Sequence, residues 1–303
     1  MLTAEQRLHK SLRTTFLGIV FNILLAVGKT VTGVLGHSQA LIADGIESLA
    51  DVFSSLIVWR GLSIAATPPD QEHPYGHGKA EPIATAIVGL MLIMAAVWIG
   101  GQSIHQIITP HQTPEWYTLL VLLVVIVTKE LLFRFALRTA EDVQSSAVQS
   151  DAWHHRSDAI TSLAAGLGIA VALIGGPGWE TADDIAAGLA SLIIAWNGWH
   201  ILRPALDELM DAAAPPEVVQ QIRTLAGEVE QVDLVQKCFV RRHGYHYFVD
   251  LHLHVDPQMT VAESHRIAHQ VKDQLRQEMP RVRDVLVHIE PRSTPAPETK
   301  PAS

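Results

Sequence analysis

Acidic and histidine side chains recur at helical spacing inside two apolar segments of this chain. Asp44, Glu47 and Asp51 lie three and four residues apart in one segment, and His154 and Asp158 lie four apart in another. Side chains three or four residues apart share one face of a helix. An ionisable group inside an apolar span costs about 2.5 to 3.5 kcal/mol on insertion scales and by default indicates a functional site. These residues are therefore the first candidates for chemistry.

The ligand types in these two segments suit a metal ion. If the two helix faces meet, they supply three carboxylates and one imidazole, from Glu47, Asp51, His154 and Asp158. Such a set suits tetrahedral coordination of a divalent transition metal. Carboxylates a few Å apart repel one another by up to about 4 kcal/mol per pair at an effective dielectric of about 20. An empty site should then take up protons, which metal would expel. The alternative is that these groups pair with Lys29, Arg156 or backbone and only hold helices together.

Two further clusters of ligand types lie outside these segments. In the connection over residues 68–81, the side chains of Asp70, His73 and His77 converge if the chain folds back at Gly76. A solvated turn is the alternative for this Pro- and Gly-containing loop.

The second cluster is near the C-terminus, where seven of the 16 His fall in residues 243–288. Alternation along strands places one set on polar faces: His252, His254, His288 and Glu290. Two more, His265 and His269, lie four apart on the helix predicted between these strands. Each alone could be part of a solvated surface, but the set favours a metal site.

Six apolar segments of about the length that crosses a bilayer, roughly 20 residues, occupy the first two thirds of the chain. They are residues 14–36, 38–65, 83–108, 116–137, 147–174 and 181–202. Lys and Arg flank these segments on one side only, and such residues favour the cytoplasm. We therefore predict a six-transmembrane-helix bundle over residues 1–206, with both termini cytoplasmic.

Beyond Pro215 and Pro216 the composition becomes that of a small soluble domain. Helical spacing over 218–229 and 261–279, and alternation over 232–242, 245–256 and 282–290, predict the order αββαβ. This order favours a helix-backed antiparallel sheet of α+β type, ferredoxin-like or metallochaperone-like, over residues 212–291. The Pro-, Thr- and Ala-rich tail, 292–303, is predicted to be disordered.

Composition excludes several functional classes. With 48% hydrophobic and 17% charged residues, an ordinary soluble enzyme is disfavoured. A single cysteine excludes an internal disulfide or a zinc ribbon. The net charge of -9 argues against binding nucleic acid, which relies on concentrated Lys and Arg. An intramembrane metalloprotease would need a metal-bound water and a general base, and no His-Glu-x-x-His motif occurs.

Three motifs resemble those of the cation diffusion facilitator family. They are Gly36-His-Ser-Gln-Ala-Leu-Ile-Ala-Asp44 followed by Glu47-x-x-x-Asp51, then His73-Pro-Tyr-Gly-His-Gly-Lys-Ala-Glu81, and Trp153-His154-His-Arg-Ser-Asp158. The resemblance extends over residues 10–291 and includes the αββαβ domain. It implies a homodimeric transporter with six membrane helices, which moves zinc or a similar divalent ion out of the cytoplasm in exchange for protons.

The resemblance also implies roles for individual residues. The family's transport site is matched by Glu47, Asp51, His154 and Asp158, and its loop site by Asp70, His73 and His77. Positions that bind metal between two cytoplasmic domains are matched by His252, His265, His288 and Glu290. Lys79 and Asp211 match an ionic pair near the dimer interface. The chain departs from the pattern at Glu47, where zinc-type members usually have His or Asp, and at Val232, where some relatives have His.

The predicted function is therefore not enzymatic. We expect a transporter in the plasma (inner) membrane that exports a divalent transition metal and imports protons, with metal also acting as a regulator. Zinc is the first candidate, and iron(II), cobalt, cadmium and manganese stay open. The expected partners are metal ions, protons, lipid and a second copy of the chain. The alternative function is a membrane-anchored metal sensor or regulator without transport.

Overall fold

The computed structural model describes residues 4–109, 112–143, 146–176 and 178–292. The chain divides into two compact units. The helical unit comprises Met1–Trp59 and Thr85–Arg203, and the sheet unit comprises Arg60–Ala84 and Pro204–Ser303. Because residues 293–303 are not among those described, the predicted disorder of the tail stays a prediction.

Six long helices make up most of the chain. They are α1 (Ala4–Leu35), α2 (Gln39–Ala65), α3 (Ala80–Ile108), α4 (Trp116–Val143), α5 (Ser146–Gly175) and α6 (Thr181–Leu209). Each exceeds the roughly 20 residues that cross a bilayer. Within the described residues, four stretches are both long and apolar enough to span: Phe16–Leu35, Ala80–Ile108, Ala152–Gly175 and Thr181–Leu209. The predicted helical architecture is thus confirmed, whereas the count of six membrane spans stays a prediction.

The helical unit has an apolar outside and an inside rich in alanine. Large side chains such as Phe16, Val97 and Ile174 are exposed, whereas Ala26 and Ala43 are buried. An apolar exterior of this kind suits contact with lipid, and small residues let membrane helices approach closely. The outer surface of the helical unit is therefore suited to contact with lipid.

Helices α1 and α2 approach each other through two glycines. A Cβ atom at Gly45 would lie 2.5 Å from the Thr30 hydroxyl oxygen, and one at Gly33 would lie 2.8 Å from a side-chain carbon of Ile42. A larger residue at either position would push the two backbones apart. This close approach sets polar side chains of α1 against those of α2.

The sheet unit contains α7 (Pro216–Gly227), β1 (Leu234–His243), β2 (His246–Val255), α8 (Val261–Glu278) and β3 (Val282–Pro291). The predicted order αββαβ is confirmed. The predicted antiparallel sheet is wrong at one edge, because β1 and β2 pair antiparallel but β2 and β3 pair parallel. The reason is the connection: α8 carries the chain back along the sheet before β3 begins, as parallel strands require. Alternation in a sequence reports which face a side chain takes, not strand direction.

One face of this sheet forms the core of the domain. The alternate β2 residues Tyr247, Val249, Leu251, Leu253 and Val255 are buried, as their alternation predicts. They pack with buried residues of the two helices, among them Ile222, Ile267, Val271 and Leu275. A capping box begins α8, in which the Thr260 hydroxyl accepts from the Glu263 amide and the Glu263 carboxylate accepts from the Thr260 amide. The opposite sheet face is left for His252, His254, His288 and Glu290.

The substitution Leu253→Ala tests this core. Leu253 is 0% exposed, and removing a buried leucine side chain costs about 2 to 5 kcal/mol of stability. Hydrogen exchange of β2 and α8 amides in the full chain, at increasing urea, measures the loss. The matched control is Leu286→Ala on the opposite face, because Leu286 is 68% exposed. Equal destabilisation by both substitutions would contradict the assignment of the core.

Candidate metal sites

The first candidate site lies in the helical unit, between α2 and α5. The ligand atoms of Asp51, His154 and Asp158 all lie within 4.8 Å of one another. The His154 ring is in the middle, with Nε2 3.7 Å from Asp51 Oδ2 and Nδ1 3.8 Å from Asp158 Oδ1. These separations exceed hydrogen-bond distances. They approach the spacing of ligands that surround one ion at about 2.0 to 2.2 Å.

Glu47 lies beside this group but outside it. It is one helical turn before Asp51 on α2, and both carboxylates line a cavity of about 260 Å³ together with Asn197 and His200 of α6. Glu47 also lines a second cavity of about 230 Å³, which contains Asp44 and is otherwise mostly apolar. Of the four residues proposed from the sequence, three meet, and Glu47 is at the wall shared by two cavities.

Buried lysines pair with two of the carboxylates in the helical unit. Lys29 of α1 donates to Ser48 Oγ at 2.7 Å and forms an ion pair with Asp44 at 3.0 Å. Lys129 of α4 contacts Asp158 Oδ2 at 2.5 Å. The alternative of pairing between helices therefore holds for Asp44 and, at one oxygen, for Asp158.

The sequence analysis missed Lys129, although a signal was present. Lys129 and Glu130 interrupt the apolar run of α4, and an ionisable group in a span marks a functional position. Arg156, the other cation considered as a partner, stacks instead over the rings of Phe133 and Trp153, 4.8 and 5.6 Å from their centroids. Its charge is directed at aromatic rings and not at the three-residue group.

Hydrogen bonds hold α2 in position against α5 and α6. The Ser162 hydroxyl of α5 donates to both oxygens of Asp44, at 2.9 and 3.0 Å. At the start of α2, Ser38 Oγ and the Gln39 amide donate to Asp183 of α6, at 2.8 and 2.6 Å. A carboxylate at a helix N-terminus satisfies amides that have no partner in the helix. The sequence analysis did not identify this role of Asp183.

The second candidate site is the loop group Asp70, His73 and His77. The His73 amide donates to Asp70 Oδ1 at 2.6 Å, and His77 Nε2 lies 3.5 Å from Asp70 Oδ2. Gly76 has a φ of +85°, so the chain folds back at the residue where the sequence analysis predicted it. The hydrogen bond from the His73 amide lowers the pKa of Asp70, which keeps this carboxylate available to a cation at neutral pH.

The third candidate site lies on the open face of the sheet. The register aligns His252 with His288, and His254 with Glu290, across the parallel pair β2 and β3. Glu290 Oε1 lies 2.6 Å from His252 Nδ1 and 3.6 Å from His288 Nε2, while Oε2 lies 3.3 Å from His254 Nε2. The hydrogen bond with His252 lowers the pKa of Glu290. Glu290 therefore contacts three histidines.

One proposed ligand is not part of this third group in the single chain. His265 is exposed on α8, where its ring lies 4.6 Å from that of His269. Val232 packs against the domain core and has no ligand atom. The Lys79–Asp211 pair does form within the sheet unit, at 2.7 Å, and Lys79 also donates to the Glu208 carbonyl at 2.7 Å.

Comparison with known proteins covers nearly the whole chain. The cation efflux transmembrane domain matches residues 15–210, and the cytoplasmic domain of cation efflux proteins matches residues 214–292. The manganese efflux system protein MneP of Bacillus subtilis (strain 168) is 32% identical over 292 residues, with 95% of this chain and 98% of that protein covered. The magnetosome protein MamB of Magnetospirillum gryphiswaldense is 30% identical over 271 residues, with 89% and 90% covered.

Two further similarities are partial. Metal tolerance protein C1 of Arabidopsis thaliana is 32% identical over 291 residues, which cover 91% of this chain and 61% of that protein. Among solved structures, a variant of the MamM CTD is 28% identical, covers 25% of this chain and 95% of its own, and has a TM-score of 0.25. The match of the transmembrane domain over more than half of the chain and the full-length similarity to MneP establish the family. The protein therefore belongs to the cation diffusion facilitator family of membrane-embedded divalent metal efflux transporters.

Proposed function

We propose that this protein exports a divalent transition-metal ion from the cytoplasm in exchange for protons. We further propose that it works in the plasma (inner) membrane as a homodimer of six-span protomers with cytoplasmic termini. The observation that carries the proposal is the group Asp51, His154 and Asp158, whose ligand atoms converge within 4.8 Å inside the helical unit. Ionisable groups inside membrane helices are costly, and in membrane proteins they mark the pathways of ions.

Glu47 completes the proposed transport site as the fourth ligand. Its position one turn from Asp51 and its place in the same cavity support this role. With Glu47 the site has three carboxylates and one imidazole, a complete tetrahedral set with no position reserved for a reactive water. Such a set suits binding and release more than hydrolysis.

Competition between metal and protons follows from the same ligands. Carboxylates a few Å apart repel one another by up to about 4 kcal/mol per pair at an effective dielectric of about 20, so they are stable together only with a cation or with protons. Binding of a metal then releases protons, and protons from the other side of the membrane displace the metal. The chemical gradient of protons can thereby drive metal export.

The two cavities that meet at Glu47 support an alternating-access cycle. One contains Asp51, Asn197 and His200, and the other contains Asp44 and a largely apolar lining. We propose that rocking of helices around the site opens one cavity and closes the other, as in other secondary transporters. Glu47 would then face both routes and take part in binding from one side and release to the other.

Zinc is the first candidate for the metal, and manganese is the second. The imidazole of His154 favours zinc. Manganese has two arguments in its favour: the carboxylate-rich set, since oxygen ligands suit manganese, and the similarity to MneP, whose name describes manganese efflux. Uptake of each metal by vesicles, measured side by side, decides between them.

We assign the sheet-unit group a regulatory role. Metal at His252, His288 and Glu290, completed by His265 from the second protomer, would draw two cytoplasmic domains together. That role requires the metal to bind more tightly in one conformation than in the other. A sensor without transport would use this site alone, and the charged groups of the helical unit speak against it.

Asp51→Ala tests the transport site. We expect metal-driven proton flux in proteoliposomes to fall to the level of empty liposomes, because a ligand and its charge are lost. A pH-sensitive dye inside the vesicles and isotopic metal uptake measure flux in both directions. The control is Ser55→Ala, one turn further along α2, because the Ser55 hydroxyl donates to the backbone carbonyl of Asp51, at 3.0 Å.

Two outcomes would contradict this proposal. If both Asp51→Ala and Asp158→Ala keep wild-type flux, the site is elsewhere. If the wild-type protein binds metal but moves none into vesicles, the sensor function is correct.

His288→Ala tests the regulatory site. We expect the zinc concentration that brings the two cytoplasmic domains together to rise at least about tenfold, since one ligand is removed. Energy transfer between dyes at the C-termini of the dimer reports the approach. The control is His246→Ala, which removes a histidine of β2 outside the group. An equal effect of both substitutions would show that the group does not bind the metal.

A further inference from the structure

Lys129 is a buried cation in contact with the proposed transport site. Its side chain is only 1% exposed. The ammonium group contacts Asp158 Oδ2 at 2.5 Å and donates to Asn22 Oδ1 of α1 at 2.8 Å. Three helices therefore converge on it, namely α1, α4 and α5. Burying an ammonium group is costly unless a partner compensates its charge. Here the partner is Asp158, a proposed ligand of the metal.

The two oxygens of Asp158 have different neighbours. Oδ2 is held by Lys129, whereas Oδ1 faces His154 Nδ1 at 3.8 Å. A cation placed among Asp51, His154 and Asp158 would therefore meet Oδ1. Lys129 therefore engages Oδ2, leaves Oδ1 directed at the three-residue group, and disfavours bidentate binding by this carboxylate.

The charge of the site gives Lys129 a second role. Glu47, Asp51 and Asp158 carry three negative charges when ionised, and a divalent ion balances two of them. The third is balanced by the Lys129 ammonium group, so the loaded site with this lysine is neutral. A neutral loaded site is favourable because an uncompensated charge inside membrane helices is costly. The same cost would apply to every helix movement that carried such a charge through the membrane.

Lys29 of α1, the second buried lysine among the described residues, has a different kind of partner. Lys29 is 0% exposed and is bound to Asp44 and Ser48. Asp44 is not in the three-residue group, and its charge is balanced by Lys29 without any metal. The two lysines thus have similar burial and similar partners, but only Lys129 contacts a proposed metal ligand.

We infer that Lys129 is a positioning and charge-balancing residue of the transport site. It presents one oxygen of Asp158 to the metal and sets the site's charge to match a divalent ion. This inference rests on the proposed function. By this inference, Lys129 contributes to the preference for divalent ions although it does not bind the ion itself. It also explains how a site with three carboxylates can release its ion: the fixed ammonium group weakens the hold of the carboxylates.

The test measures KM and kcat for Zn²⁺ and Mn²⁺ uptake in proteoliposomes, with Lys129→Gln as the first variant. Without the ammonium charge we expect KM and kcat both to fall at least about tenfold, because the more negative site holds the ion too tightly. Lys129→Arg keeps the charge, so both constants should lie closer to wild type than those of Lys129→Gln. An increase in KM for Lys129→Gln, or no change in either constant, overturns the inference.

A second comparison separates charge balance from a purely structural role, and it does not depend on the folding of Lys129→Gln alone. Glu47→Gln removes one negative charge from the site and should impair uptake. Adding Lys129→Gln restores the balance, so the double variant should transport faster than Glu47→Gln. A double variant that is no faster, at equal amounts of folded protein by size-exclusion chromatography, overturns the inference.

The remaining control is the double variant Lys29→Met/Asp44→Asn, which removes the second buried lysine together with the carboxylate charge that it balances. It should leave KM for the metal within about twofold of wild type, whatever it does to stability. A shift in KM equal to that of Lys129→Gln would mean that any buried lysine affects uptake, and would overturn the assignment to Lys129. Absence of uptake by the wild-type protein would instead refute the proposed function and is distinct from all these outcomes.

Discussion

Repulsion between carboxylates inside membrane helices is the constraint on which this structure depends. Asp51 and Asp158 are brought together across α2 and α5, and Asp44 lies two turns before Asp51 on α2, in helices whose outer surfaces are apolar. The chain meets this constraint by two means. Asp44 is neutralised permanently by Lys29, whereas the acidic group around His154 is only partly neutralised by Lys129. The unbalanced remainder is what can attract a divalent ion.

The same principle operates at the other two candidate sites with a different balance. In the loop and on the sheet, the acidic groups Asp70 and Glu290 already accept hydrogen bonds from the chain, and these bonds lower the pKa of each carboxylate. Each of these groups contains a single carboxylate among two or three histidines, so there is no carboxylate pair to repel and the histidines dominate. This difference supports the proposed division between metal regulation in the sheet unit and metal transport in the helical unit.

Much of this could be predicted from the sequence, because periodicity and ligand spacing are local properties. Spacing of four placed His154 and Asp158 on one face, and alternation placed His252 and His254 on the open face of the sheet. Strand direction could not be predicted, since the path of α8 is set by tertiary packing. The contact of Lys129 with Asp158 joins residues 29 positions apart, and no local pattern encodes such a contact. Whether His265 joins its proposed partners depends on a second chain.

The hydrogen bonds between Asp183 and the first residues of α2 have a mechanical meaning. They connect one end of α2 to α6, while Glu47 and Asp51, the proposed metal ligands of α2, lie two to three turns further along. A helix held at one end can pivot about that end. In the proposed cycle, motion of α2 would therefore pivot about this held end, and the displacement of each acidic side chain would grow with its distance from Asp183.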